Sequence, residues 1–191
     1  MDSDLADAVD GLKTVFQRRK IDFEFGTASP ELVEALKKQF RVPPRFRNFL
    51  LKANPVRVET VTPVERVRLF PASEIEPGQK NVTANAEWKP SWVLIAESAL
   101  LGDPYFLDVS KPDPEGDCPV YTAMSGQERW APILAGSSFA QFLAILAAGM
   151  EIASGFGDAI MDDEDEDSFR KAMAPKVKVL DGAALRAGHW T

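Results

Sequence analysis

Asp103 and Asp108 are the residues whose type and spacing come closest to a catalytic pair. Paired carboxylates can serve as general acid and general base when their separation is fixed and their pKa values differ. Asp103 follows Gly102 in a turn sequence, where an aspartate side chain usually bonds to its own backbone. Asp108 lies in a run of strand-forming residues, where it either pairs locally or faces solvent. The sequence therefore favours structural roles for both carboxylates over acid–base catalysis.

One histidine and one cysteine are the remaining candidates for a base or a nucleophile. His189 lies near the end of the chain, in a segment that we expect to be partly loose, whereas a general base must be held in position. Cys118 has no neighbour in the sequence that would lower its thiol pKa, so we expect a buried structural thiol. With no evident nucleophile–base pair, the sequence predicts neither enzymatic activity nor a cofactor.

The acidic run Asp162–Asp167 is the strongest charge feature of the chain. Its aspartates at 163, 165 and 167 match the first three ligand positions of a calcium loop. Ser168 then stands where that loop needs glycine, and Ala174 stands where it needs a bidentate glutamate. A solvated acidic segment is therefore the default interpretation, and no metal site is predicted. Docking of a basic partner and weak cation binding remain open alternatives.

Composition limits the class of protein. The chain has 191 residues, of which 45% are hydrophobic and 27% are charged, as in an ordinary globular domain. No apolar run approaches the ~20 residues that span a bilayer, and the first residues do not resemble a secretory signal. A single cysteine suits a reducing compartment, so the sequence predicts a cytoplasmic protein with no membrane partner. The net charge of -7 argues against nucleic acid as a partner and favours a basic protein.

The candidate residues depend on two predicted strands in the middle of a sheet. Trp92–Ala96 is an apolar run typical of a buried strand, and Tyr105–Val109 is rich in aromatic and β-branched residues. Between them, 102–104 reads Gly-Asp-Pro and predicts a turn. Further strands are predicted at 56–61, 65–70, 119–123 and 130–134, and a late edge strand around 177–180. A loop is predicted over 77–91 and a turn at 125–126.

Helices are predicted before and after these strands. Ser29 with Pro30 predicts a helix start, and Ser137-Ser138 caps the most regular apolar pattern, which runs to Gly149. Two further helices are expected around 5–16 and 44–53. A single helical turn is predicted at 71–75, and residues 181–191 are expected to be partly loose.

The order of motifs, rather than any one of them, resembles the SUKH superfamily over residues 29–149. The motifs are Val-Pro-Pro-Arg-Phe-Arg-Asn-Phe-Leu at 42–50, Trp-Val-Leu-Ile-Ala at 92–96, Gly-Asp-Pro-Tyr-Phe-Leu-Asp at 102–108, Cys-Pro-Val-Tyr at 118–121 and Ser-Ser-Phe-Ala-Gln-Phe-Leu at 137–143. The resemblance implies an α+β fold, with a mixed or antiparallel sheet of about five or six strands and helices packed on one side. It divides the chain into an N-terminal helical segment 1–28, a core 29–149 and a C-terminal extension 150–191. Asn54-Pro55 departs from the Asn-Gly-Gly-like end that the resemblance implies for the second helix.

The resemblance also implies binding rather than catalysis. Bacterial members are similar to immunity proteins that neutralise a toxin, often a nuclease or deaminase, and fungal members are intracellular regulators. We therefore expect a cytoplasmic immunity protein, with a regulatory or scaffold module as the alternative; the oligomeric state stays open between monomer and weak dimer. The family-pattern residues are Trp92, Gly102, Asp103, Tyr105, Asp108, Tyr121, Phe139 and Phe142. The predicted partner-binding residues are Trp88, which we expect to be exposed, with Asp113, Glu115, Asp117, Asp162, Asp163, Glu164 and Asp165.

Overall fold

The computed structural model describes residues 1–124, 129–156 and 163–191, and the side chains of residues 163–165 are not described. The helices are α1 (Ser3–Arg19), α2 (Pro30–Phe40), α3 (Pro44–Ala53), α4 (Ala72–Val82), α5 (Phe139–Ala153), α6 (Asp163–Leu180) and α7 (Gly182–Ala187). The strands are β1 (Glu24–Gly26), β2 (Asn54–Arg57), β3 (Glu59–Val61), β4 (Arg66–Leu69), β5 (Trp92–Ser98), β6 (Pro104–Asp108), β7 (Val120–Thr122) and β8 (Ile133–Gly136).

A six-stranded antiparallel sheet organises the chain. Strands β3 to β8 follow one another in sequence order across it, and β1 pairs with β2 in a separate two-stranded sheet. The two central strands, β5 and β6, are those predicted from their apolar runs. Gly102 has a φ of +72°, which favours glycine in the turn between them.

The two faces of the sheet have different coverings. Side chains alternate along β6, so Tyr105 and Phe106 point to opposite faces. Tyr105 packs against Phe142 of α5, with ring centroids 5.4 Å apart, whereas Phe106 packs against Trp92, with ring centroids 4.5 Å apart. Helices α1 and α6 both contact α5, which itself lies on the sheet. The predicted α+β class, with the main helices on one side of an antiparallel sheet, is confirmed.

Serine caps begin two of the helices at the predicted positions. The Ser29 hydroxyl accepts a hydrogen bond from the Leu32 backbone N–H, 3.2 Å away, and Pro30 occupies the first position of α2. The Ser138 hydroxyl accepts from the Gln141 N–H at 3.1 Å and starts α5. Each cap satisfies a backbone donor that has no partner within its own helix.

The loop predicted over 77–91 is wrong in its first part, because α4 continues to Val82. Pro77 lies inside this helix although proline lacks the N–H that a helix interior uses. Tertiary contacts compensate: Ile75 is fully buried, and the Gln79 side chain bonds to the backbone of β5. Gly78 is required by close packing, since a Cβ there would lie 2.9 Å from the Phe70 ring.

The late edge strand predicted around Val177, Val179 and Leu180 is also wrong, because these residues end α6. Phe169, Met173 and Val177 recur every fourth residue and form the buried face of this helix, while Val179 is 85% exposed. Residues 181–191 are packed rather than loose. The Asp181 carboxylate caps α7 by accepting the N–H groups of Ala183 and Ala184, and Trp190 is buried.

Buried residues from α1, the sheet, α5 and α6 join in a single hydrophobic cluster.

The domain boundaries at 28/29 and 149/150 stay predictions. Among the helices of the described residues, none is long and apolar enough to cross a membrane.

Candidate functional site

Asp103 directly precedes β6 and Asp108 ends it, so their α-carbons are about 17 Å apart along extended chain. That separation is too long for a pair that shares one substrate bond. Asp108 is buried, and its carboxylate accepts hydrogen bonds from the Ser110 hydroxyl at 2.6 Å and the Ser110 N–H at 3.2 Å. Burial opposes ionisation of Asp108, but these hydrogen bonds outweigh it and lower its pKa. Asp108 thus secures the chain after β6.

Trp88 is buried, with 8% of its surface exposed, so the expectation of an exposed indole is wrong. Its ring packs against Phe106, Trp92 and Trp130 at centroid distances of 5.1, 5.6 and 5.9 Å. The exposure was predicted because the neighbours of Trp88 in the sequence are polar. The packed indole covers the face of the sheet opposite α5.

Arg45 in α3 is the centre of a charge cluster that sequence reasoning did not find. Its side chain is 4% exposed, and its guanidinium lies 2.9 Å from Asp2, 3.3 Å from Glu115 and 3.5 Å from Asp117, and also pairs with Asp4. A buried arginine needs partners of opposite charge. Burial alone would lower the pKa of Arg45, but the bonds to Asp2 and Asp4 and the charge of Asp117 raise it.

Asp117 is fully buried beneath this cluster, so it cannot form part of an exposed contact surface. Its carboxylate accepts hydrogen bonds from the N–H groups of Cys118 at 2.7 Å and Phe139 at 3.1 Å, and from Ala140 at the start of α5. Burial raises the pKa of Asp117, and the three N–H donors and Arg45 oppose that rise. The predicted partner-binding role of Asp117 is replaced by a structural one, in which Asp117 links α3 to α5.

The loop around Asp113 divides into structural and exposed carboxylates. Asp113 accepts hydrogen bonds from the N–H groups of Glu115 and Asp117, at 2.9 and 2.8 Å, and so stabilises its own turn. The Glu115 side chain is 71% exposed. Glu115, Asp2 and Asp4 therefore form an outward-facing acidic surface over the buried Arg45; we call these three the Arg45 surface.

A second polar cluster lies on the face of the sheet that α5 covers, around the Tyr105 hydroxyl. The Glu65 carboxylate accepts the Ser98 hydroxyl at 2.8 Å, and its second oxygen lies 3.3 Å from the Tyr105 hydroxyl. That hydroxyl also lies 2.9 Å from Nε2 of His189. Because a tyrosine has one hydroxyl proton, donation to Glu65 requires that His189 Nε2–H donates to the Tyr105 oxygen.

Burial sets the protonation of this cluster. It raises the pKa of Glu65, against the hydrogen bonds from Ser98, Arg66 and Tyr105. Burial, followed by the charge of Glu65, raises the pKa of Tyr105 well above its usual range. Burial, followed by the charge of Arg170, lowers the pKa of His189 to about 4, so the imidazole is neutral at pH 7. Sequence reasoning missed Glu65, although strand alternation places it on the same face as Val67 and Leu69.

A cavity of about 280 Å³ opens beside Glu65 and His189. It lies between the sheet, α5 and α6, and its walls are mainly apolar. The apolar lining includes Val64, Val67, Ile145, Leu146, Phe169 and Met173. A cavity of this composition with a few polar groups at one end has the character of a small-molecule site.

The sequence matches the SMI1 / KNR4 family (SUKH-1) over residues 27–145. The chain belongs to the SUKH-1 family. The resemblance inferred from the motifs is thereby confirmed. No curated protein matches the chain. The SUKH-1 match includes Arg45, Asp117, Glu65 and Tyr105, whereas α6, α7 and His189 lie beyond it.

The other predicted site residues either pack within the SUKH-1 core or belong to the part of the acidic run whose side chains the structure does not describe. Tyr121 packs behind Phe106, and Phe139 packs edge-to-face on Phe46, with ring centroids 4.8 Å apart. Asp162 lies outside the described residues, and the side chains of Asp163, Glu164 and Asp165 are not described. Among the side chains described in 1–124, 129–156 and 166–191, no group of three or more His, Cys, Asp or Glu is placed to hold a metal.

Cys118 is buried, as the sequence predicts. Burial, followed by the negative charge of Asp117, raises the pKa of its thiol to about 12. The thiol is therefore protonated at neutral pH and a poor nucleophile, because the thiolate is the reactive form.

Proposed function

We propose that this protein is a non-catalytic, cytoplasmic binding domain that neutralises a basic toxin. Membership of the SUKH-1 family supports a binding role, in toxin immunity or in regulation. The Arg45 surface supports a basic partner, and it is the observation that carries the proposal. Its three carboxylates are exposed, yet all are bonded to one buried guanidinium.

The anchoring of these carboxylates bears on affinity. Binding costs the conformational entropy of every long side chain that becomes fixed at an interface. Arg45 already restrains Asp2, Asp4 and Glu115 in the free protein. The surface is therefore preorganised for lysine or arginine side chains of a partner.

Charge balance around Arg45 also favours a cationic partner. One guanidinium faces four carboxylates, of which Asp117 is buried and also bonded to backbone N–H groups. The remaining negative charge faces solvent, and Asp7, three residues after Asp4 on α1, is exposed and extends it. Such a field accelerates association with a basic protein and weakens as salt increases.

The experiment is to identify a toxin encoded beside the gene for this protein and to co-express the two. We expect the intact protein to restore growth and to bind the purified toxin domain. The variant Asp7→Lys/Glu115→Lys should lower the association rate constant by about tenfold or more at low salt, because both changes reverse charge near the contact. Its melting temperature should stay near that of the wild type, since both substituted side chains are exposed and Arg45 keeps Asp2, Asp4 and Asp117 as partners.

Asp22→Lys provides a matched control. Asp22 is exposed and follows the far end of α1, about 25 Å from Asp2 by the length of that helix. We expect this charge reversal to leave protection and the association rate unchanged. An intact protein that neither protects cells nor binds the adjacent toxin would overturn the proposal and favour a regulatory or scaffold module.

A further inference from the structure

The cavity beside Glu65 has a polar end and apolar walls. We propose that it binds a small amine with an apolar aromatic or branched aliphatic body, whose ammonium group donates to Glu65. This site is separate from the Arg45 surface and does not depend on a toxin partner.

The size and walls of the cavity determine the body of the ligand. An apolar cavity of about 150 Å³ in another protein holds one benzene molecule, and this cavity measures about 280 Å³. Its Ile145, Leu146, Phe169 and Met173 side chains come from the apolar faces of α5 and α6. A six-membered ring with a short side chain therefore fits the volume and the wall chemistry.

The polar end determines the head group. Glu65 is an acceptor, and its carboxylate lines the cavity together with Asp103. His189 donates through Nε2 to Tyr105 when Tyr105 donates to Glu65. The hydrogen-bonding groups of Tyr105 and of His189 Nε2 therefore already have partners within the protein. An ammonium group beside Glu65 would add a charge-assisted hydrogen bond and would stabilise the ionised form of that carboxylate.

An anionic head group is disfavoured in the same place. Two carboxylates line the cavity, and like charges raise the energy of a further anion there. Arg170 also lines it, but its Nε donates to Glu166 at 2.8 Å and its Nη1 donates to the His189 carbonyl at 3.1 Å. The guanidinium is thus engaged with the protein, and we expect amines to bind in preference to carboxylic acids.

The cavity is built jointly by the family core and the C-terminal extension. Thr60, Glu65 and Ile145 lie within the matched residues 27–145, whereas Phe169, Met173 and His189 lie after them. The extension therefore supplies one wall and part of the polar end. This arrangement makes ligand binding a property of this chain rather than one that the SUKH-1 core alone provides.

The test is NMR of ¹³C-labelled methionine and isoleucine methyl groups during titration at pH 7. The probes are 2-phenylethylamine, the neutral 2-phenylethanol and the anionic 3-phenylpropanoate, which share a similar apolar body. We expect saturable shifts at Met173 and Ile145 with the amine, while the Ile75 methyl on α4 stays unchanged. Affinity for the acid should be about tenfold or more weaker, because the carboxylates repel it.

Two variants test the assigned residues. Glu65→Gln should weaken the amine about tenfold and leave the alcohol nearly unchanged, because it removes the charge but keeps the shape. Glu59→Gln is the matched control, since neighbouring side chains on β3 alternate between faces and Thr60 is the one that lines the cavity. Val64→Phe should weaken binding of both probes by narrowing the cavity.

Three results would overturn the proposal. One is the absence of saturable shifts at the cavity methyl groups with the amine. Another is equal affinity for amine and acid. The third is unchanged amine binding in folded Glu65→Gln or Val64→Phe. Loss of toxin protection alone would not bear on this site, and loss of amine binding would not bear on the Arg45 surface.

Discussion

The Arg45 guanidinium lies 3.5 Å from the Asp117 carboxylate, and both side chains are buried. This pair joins α3 to the start of α5, because Asp117 also accepts N–H groups from Phe139 and Ala140. The same arginine restrains the exposed carboxylates of the Arg45 surface. The pair therefore links the buried contact between α3 and α5 to the exposed carboxylates of the Arg45 surface.

We expect Asp117→Ala to reduce the free energy of unfolding by about 3–5 kcal/mol. The change leaves a buried guanidinium without its buried partner and leaves backbone N–H groups at the start of α5 without an acceptor. Urea unfolding followed by circular dichroism measures the loss. Glu115→Ala is the control, and about 0.5 kcal/mol or less is expected there because Glu115 is exposed. Equal losses in the two variants would contradict this account of Asp117.

His189 should make stability depend on pH. Its pKa is about 4 in the folded protein against 6.5 for the free group, so only the unfolded chain binds a proton between these values. Stability from this group is thus present above pH 6.5 and is lost as pH falls toward 4, by on the order of 3 kcal/mol. His189→Gln cannot titrate in this range. Unfolding measured at intervals from pH 7 to 4 should show a smaller loss in the variant than in the wild type, and parallel curves would contradict the assignment.

Gly149→Ala should stabilise the protein by about 0.5–1 kcal/mol. Gly149 is in the interior of α5, where alanine is the better helix former. A Cβ there would meet Met173 Cε and Thr62 Cγ2 at 3.5 Å, which is ordinary contact. Thermal unfolding measures the gain. Gly136→Ala is the opposing control, because its Cβ would lie 2.9 Å from the backbone of Phe142 and should destabilise the protein.

Gln79→Met should lower the free energy of unfolding by about 2–3 kcal/mol. The buried Gln79 amide donates to the Trp92 carbonyl at 2.7 Å and accepts from the Leu94 N–H at 2.8 Å. Methionine keeps the volume but leaves both backbone groups of β5 unpaired. Hydrogen exchange of the Leu94 amide provides the specific measurement, and we expect it to accelerate. Unchanged protection at Leu94 would show that another group had replaced the amide.

Local patterns predicted the central part of the fold. Trp92–Ala96 and the Phe139, Phe142, Leu143 spacing correspond to β5 and α5, because an apolar period reports the buried face directly. The same reasoning failed for α6. Its valines at 177 and 179 resemble a strand in isolation, and the four-residue spacing of Phe169, Met173 and Val177 is visible only over a longer window.

The candidate sites were less accessible to sequence reasoning. Arg45 meets Asp117, and Glu65 meets His189 through Tyr105, only because the chain folds distant segments together. No spacing rule links such residues. Glu65 alone carried a local signal, since a carboxylate on the apolar face of a strand needs a partner or a ligand.

The last residues of the chain contact one edge of the six-stranded sheet. Strand β8 is at the edge of the sheet, where unpaired backbone groups can recruit a strand from another molecule. The Trp190 indole donates to the Ala135 carbonyl at 2.8 Å, and the Asp181 carboxylate accepts the Ser137 N–H at 2.5 Å. Proteolytic loss of this segment would remove both contacts from the β8 edge, and we expect the shortened protein to self-associate more readily than the intact chain.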